Sequence, residues 1–317
     1  MFSFVLILMF AIGQFFISDQ FSTNSVTILF KYLFTASVIV YFERTQLPEM
    51  TSNRFARIFE IILIINCLLI FVGWVFEISF LRTYAGHRFG YNGLFLNSAT
   101  GTYAYIIGLF YYLIKYKRSF FFKINSWMLI LCCLLLGTKA AILGICFLLL
   151  GYVIFFLSGI QRIIAMIVGL LLSSGAFYYV FYHGKLFNSI RIKDGLWTAI
   201  FSFRNENLQE LTLNYIAEQW RFINYLFGGV SDFGSRAQFG FIDEIFFFGI
   251  IGGSYYLFIH YRMIKKYLNI NLFKYLLFSL CIVILLAGNY FSYPSIAVYV
   301  IAFIYIMKLE YNKESIQ

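Results

Sequence analysis

The sequence predicts an all-α, polytopic membrane protein, and three observations predict it. Hydrophobic residues make up 62% of the chain and charged residues 12%, against roughly 45–50% and about 25% in soluble domains. The charges cluster between long apolar runs such as Ile61 to Phe76 and Ala140 to Leu157, each near the roughly 20 residues that cross about 30 Å of hydrocarbon. Those runs show no two-residue alternation, so backbone groups out of reach of water must be satisfied inside helices and not in a barrel.

Apolar runs and their breakers place ten spans, starting near residues 2, 25, 58, 95, 120, 140, 161, 241, 272 and 291, in one integral membrane domain over 1–317. Met1 leads straight into the first run with no small-residue cleavage site before Asp19, which reads as a span and not as a removed leader. The polar stretch around Pro48 separates the second run from the third. The fourth follows a glycine-bearing segment, His87 to Gly93, and the sixth follows the tight break Gly137-Thr138-Lys139. Asp243-Glu244 opens the eighth, where carboxylates also suit a helix N-terminus. The fifth, to Leu136, and the last, to Met307, are short, so nine or eleven spans is the alternative count. Cys67, Cys132, Cys133, Cys146 and Cys281 all fall in apolar runs, as packing residues and not as a disulfide frame.

Ten spans put both termini on one side. Segments 43–57, 115–126, 158–162, 260–271 and the tail from 308 fall on that side and hold Arg54, Arg57, Lys115, Lys117, Arg118, Lys123, Lys265 and Lys266 among other cations. The short opposite loops hold only Arg82, Arg88 and Lys139, so the positive-inside rule predicts cytoplasmic termini and an extracytoplasmic loop over about 182–240. This topology accounts for most of the net charge of +10 and leaves no basic patch that calls for nucleic acid. The loop is far longer than the roughly 2–8 residues that link helices in bundles. Leu196, Ile200, Leu208, Leu211, Tyr215, Phe222 and Leu226 recur at helical spacing within it, which predicts amphipathic helices on the membrane surface, with Trp197 and Trp220 as interfacial anchors.

The outward side carries Arg88, Arg191, Arg204, Arg221 and Arg236 together with Lys139. A guanidinium holds phosphate oxygens in a bidentate fork, so this surface suits a lipid-linked phosphate or pyrophosphate. The plainer reading is surface ion pairing with Asp194, Glu206, Glu210, Glu218 and Asp232, and for Lys139 it is snorkelling to the headgroups. Asp243 is the candidate proton acceptor for a sugar hydroxyl. His87 and His183 also face outward and could do similar work or bind glycan, though a lone histidine is more often a boundary residue. No His, Cys and carboxylate cluster has metal-ligand spacing, so neither metal nor cofactor is expected.

Four segments together resemble the Wzy-type O-antigen and capsular polysaccharide polymerases, relatives of the O-antigen ligases: Arg88-Phe89-Gly90-Tyr91-Asn92-Gly93; Leu134 to Ala141 around Gly137-Thr138-Lys139; Phe203-Arg204; and Leu226-Phe227-Gly228-Gly229 followed by Phe241 to Gly252. The family's break motif usually bears Arg where Lys139 stands. The likeness covers roughly residues 82–260. It implies a GT-C-like architecture in a bacterial cytoplasmic membrane and transfer of glycan from a polyprenyl-pyrophosphate-linked oligosaccharide to an acceptor sugar hydroxyl outside. Arg88, Lys139, Arg204, Arg191, Arg221 and Arg236 would then bind the pyrophosphate, Asp243 would orient or deprotonate the acceptor, and a chain-length regulator and a flippase would be partners. An O-antigen-ligase-like transferase and a repeat-unit flippase are the alternatives.

Overall fold

The computed structural model describes residues 2–17, 23–45, 49–84, 88–95 and 97–314. Among these the chain is all-helical; no strand forms, and one isolated antiparallel bridge joins Arg82 to Tyr91. In order the helices are α1 (Phe2–Phe15), α2 (Thr23–Arg44), α3 (Glu49–Val75), α4 (Ser98–Tyr116), α5 (Ile124–Leu135), α6 (Lys139–Phe156) and α7 (Gly159–Tyr178). The long loop holds α8 (Lys185–Asp194), α9 (Leu196–Phe201), α10 (Arg204–Glu206), α11 (Asn214–Gln219) and α12 (Phe222–Phe227). Then come α13 (Gly240–Ile264), α14 (Asn271–Ala287) and α15 (Pro294–Glu314).

The ten apolar runs are thus all helical, as α1–α7 and α13–α15, but fewer are fit to cross a membrane alone. Five are long and apolar enough: α2, α3 from Asn53, α6, α7 continued to His183, and α13 continued to Tyr267. The stretch Ser98–Phe122, which contains α4, passes only together with α5, from which it is bent by 103°; α1, α14 and the apolar Pro294–Tyr305 are shorter. The 12 residues of α5 rise about 18 Å, a little over half of the roughly 30 Å core. The chain therefore has the helices of a multi-pass membrane protein, five, or six with the bent pair, among the described residues.

The chain divides into two compact units, one from Met1–Tyr41, Ile167–Met263 and Ile284–Pro294, the other from Phe42–Met166, Ile264–Val283 and Ser295–Gln317. In the second, α4 is buried from Thr100 to Ile114. Small residues let its neighbours approach: a side chain at Gly108 would meet Leu63 and Leu129, and one at Gly144 would meet Ile106. Asn66, buried in the middle of α3, fixes the turn before α4: its Nδ2 donates to Asn92 O (3.2 Å) and to the Tyr105 hydroxyl (2.9 Å), and its Oδ1 accepts from Leu94 N–H (2.7 Å). Cys67, Cys132 and Cys133 are buried free thiols, whereas Cys146 is exposed.

The first unit has an aromatic core. Tyr32, Phe233, Phe247, Phe248 and Tyr256 are all buried, with ring centroids of Tyr32 lying 5.1 Å from Phe247, 5.2 Å from Phe248 and 5.3 Å from Tyr256. Such pairs add about 0.5–1.5 kcal/mol each beyond burial. α13 is broken at Gly249 (φ 70°, ψ −177°), against the backbone of Leu226, Phe227 and Gly228. No proline marks this break, and the sequence did not advertise it. By contrast, the largely apolar α7 buries no residue.

Candidate functional site

In the first unit, the segment entering α13 is shaped by close backbone contacts. Gln238 adopts φ +63°, which turns its N–H onto Asp243 Oδ1 at 3.0 Å. The Asp243 N–H in turn donates to Phe239 O at 2.8 Å. Gly240 lies against Ile284 O, and Gly288 against the Gln238 backbone, where a side chain would not fit. Asp243, 4% exposed, is therefore held rigidly at the first turn of the helix.

One arginine pairs with this carboxylate and the charge of a second acts on it. Arg236 Nε lies 3.8 Å from Asp243 Oδ2, while its Nη1 donates to Phe233 O (2.9 Å) and its Nη2 to Asn289 Oδ1 (2.9 Å). Its guanidinium also sits 4.6 Å from the centre of the Phe233 ring. Arg204 follows two left-handed residues, Ser202 (φ 55°) and Phe203 (φ 66°). Its Nη1 donates to Leu286 O at 3.0 Å, placing a cation at the C-terminal end of α14, where the helix dipole favours one. The charge of Arg204 also acts on Asp243. A buried carboxylate is costly unless paired; here the Arg236 guanidinium, backbone N–H groups and the charge of Arg204 offset only part of that cost. The arrangement can hold an anion beside a carboxylate.

Behind Asp243 lies a second carboxyl, that of Glu244, 1% exposed. The Tyr32 hydroxyl hydrogen-bonds to it, and Oε2 has no hydrogen-bond partner. Sequence reasoning placed Glu244 only as part of a helix start. Its partner stands in α2, far away in sequence and hidden within an apolar run. Asn289 and the Leu286 carbonyl were also missed, although the polar interruption Gly288-Asn289 between two apolar runs is a turn signal.

The other loop candidates stand on other elements. Arg191 ties α8 to the π turn before it: Nε donates to Phe181 O (3.1 Å), Nη2 to Asn188 Oδ1 (2.8 Å), and the guanidinium lies 4.3 Å from the centre of the Tyr182 ring. Arg221 is exposed at the start of α12, its N–H donating to Asn224 Oδ1 at 3.0 Å. His183 is exposed at the end of a π turn, with Tyr178 at 5.3 Å between ring centroids.

Arg88 and Lys139 belong to the second unit, where their segments meet. Tyr91 N–H donates to Leu135 O (2.8 Å) and the Thr83 hydroxyl to Leu136 O (3.0 Å). Gly137 (φ +67°) lies against Phe89 O, in a conformation that favours glycine. Thr138 caps α6 by accepting from Ala141 N–H (3.3 Å), so Lys139 is the first helical residue. Arg88 stacks on Tyr84 at 3.7 Å from the ring centre. His87 lies outside the described residues.

Among the described residues, no group of three or more His, Cys, Asp or Glu side chains could hold a metal ion. No protein-family model, no curated protein and no solved structure matches the chain.

Proposed function

We propose that the chain is a membrane glycosyltransferase that polymerises lipid-linked oligosaccharide repeat units into surface polysaccharide, on the outer side of a bacterial cytoplasmic membrane. The observation that carries this reading is the cluster of Arg204, Arg236, Asn289 and the buried Asp243 where the long loop enters α13. In the reaction an acceptor hydroxyl oxygen bonds to the anomeric carbon of the donor glycan. The bond from that carbon to the polyprenyl pyrophosphate breaks, its electron pair leaves with the pyrophosphate, and the hydroxyl proton passes to Asp243. Arg204 offsets the charge developing on the leaving group, while Arg236, already joined to Phe233, Asn289 and Asp243, fixes the position of the carboxylate. Arg88 and Lys139 form a separate basic edge suited to a lipid phosphate.

The deciding experiment is deletion in the native host followed by sizing of surface and lipid-linked glycan. Single repeat units in place of long chains support the polymerase. Long chains left on the lipid carrier would assign a ligase, and repeat units trapped inside would assign a flippase. For the site, Arg204→Ala is expected to abolish polymer at normal abundance in the membrane; unchanged chain length would remove its assigned role.

A further inference from the structure

The elbow between α4 and α5 carries more positive charge than a connection needs. Lys115, Lys117, Arg118 and Lys123 fall within nine residues and are exposed. No acidic residue occurs anywhere in the sequence from 78 to 193. One acid from α3, Glu60, reaches the elbow, and it is occupied by Lys115 (2.5 Å) and the Tyr111 hydroxyl. Arg118 and Lys123 face no carboxylate of their own stretch.

The elbow also exposes apolar side chains between those charges. Phe122 is 86% and Ile124 73% exposed. Trp127 is half-exposed, and its indole N–H donates to Phe121 O at 2.9 Å. Phe121 meets Tyr152 edge to face at 4.6 Å, and the Tyr152 hydroxyl donates to Arg118 O at 3.0 Å. These contacts fix the backbone between the cations rigidly to the end of α6. Lys117 takes a strained backbone conformation (φ 48°, ψ −125°), which such a tether sustains. Exposed apolar and aromatic groups beside cations are what a chain presents at the boundary of headgroups and acyl chains.

We propose that this elbow is a seat for an anionic phospholipid headgroup, with Arg118 and Lys123 meeting the phosphate while Phe122 and Ile124 enter the acyl region. A cation near an anionic membrane surface favours binding by about fivefold, so a headgroup that meets both should be preferred over a zwitterionic one, and added salt should weaken the preference.

The test uses the full chain in nanodiscs containing brominated phosphatidylglycerol or brominated phosphatidylcholine at equal fraction, with quenching of Trp127 as the readout and Trp127→Phe to isolate its signal. Wild type should show preferential quenching by the phosphatidylglycerol. The double variant Arg118→Gln, Lys123→Gln should quench equally with both lipids, and the charge-keeping variant Arg118→Lys, Lys123→Arg should behave as wild type. Equal quenching in the wild type, or a preference that survives in the double variant, overturns the proposal. So does reversal by millimolar-range inorganic phosphate in the charge-keeping variant and wild type alike, which would make the elbow a site for free phosphate.

Discussion

Gly249→Ala tests whether the break in α13 is a required part of the fold. Gly249 combines φ 70° with ψ −177°, a region that costs a residue with a side chain of order 1–3 kcal/mol. The added methyl would also meet backbone atoms of Leu226, Phe227 and Gly228, which cannot rotate aside, and overpacking of this kind costs typically about 1–3 kcal/mol more. The sum is about 2–6 kcal/mol, a large part of the roughly 5–15 kcal/mol that holds a domain together. Thermal unfolding of the detergent-purified chain should therefore show a marked fall in midpoint, with earlier proteolysis between α12 and α13. Gly169→Ala is the matched control: nothing lies within 4 Å of a side chain there, and alanine in a helix is favoured over glycine by about 1 kcal/mol. A Gly249→Ala midpoint equal to that of Gly169→Ala would mean that α13 runs straight through residue 249 and that the contact with Gly228 is not formed.

Arg236→Lys should lower both activity and membrane abundance, because an ammonium cannot bridge Phe233 O, Asn289 and Asp243 at once; lost activity at full abundance would make Arg236 a substrate ligand instead. Asn66→Leu should cost about 1–3 kcal/mol in unfolding measurements, since it strands the buried Asn92 carbonyl and removes the partner of the Leu94 N–H; a neutral effect would show that the turn over 92–94 is held by something else. Thr138→Ala removes the cap of α6 and the bond to the Thr102 hydroxyl, and a loss of about 1–2 kcal/mol is expected by the same assay; wild-type stability would refute the cap.

The fold was legible wherever one local rule decided it. Apolar runs named the ten main helices because a backbone without water must bond within its own segment. Thr138 and Gly137 marked the start of α6 because a side-chain cap and a positive φ leave a signature at fixed spacing. The spanning count was less legible. Hydropathy sees that α4 and α5 are both apolar, but not that they meet at 103°, since that angle is set by packing around the elbow.

The candidate site shows the same division. Arg204 and Asp243 could be read from the chain, as a loop cation and a carboxylate at a helix start. Their being neighbours could not, because it depends on Gln238 and Asn289, two residues other than glycine at positive φ, and on Gly240 and Gly288 being pressed against other backbone segments. Those backbone contacts turn the loop's charges into a defined arrangement. They also explain why Arg236, indistinguishable from Arg191 or Arg221 in sequence, has a different part: it alone of the three has the Asp243 carboxylate within ion-pair distance. A cation hydrogen-bonded to Phe233 O and Asn289 and ion-paired with Asp243 gains its position from three separate segments. Charge census alone therefore identifies which side of a loop can meet an anion, and the backbone turns decide which arginine stands at the end of α14 and which one holds the Asp243 carboxylate in place.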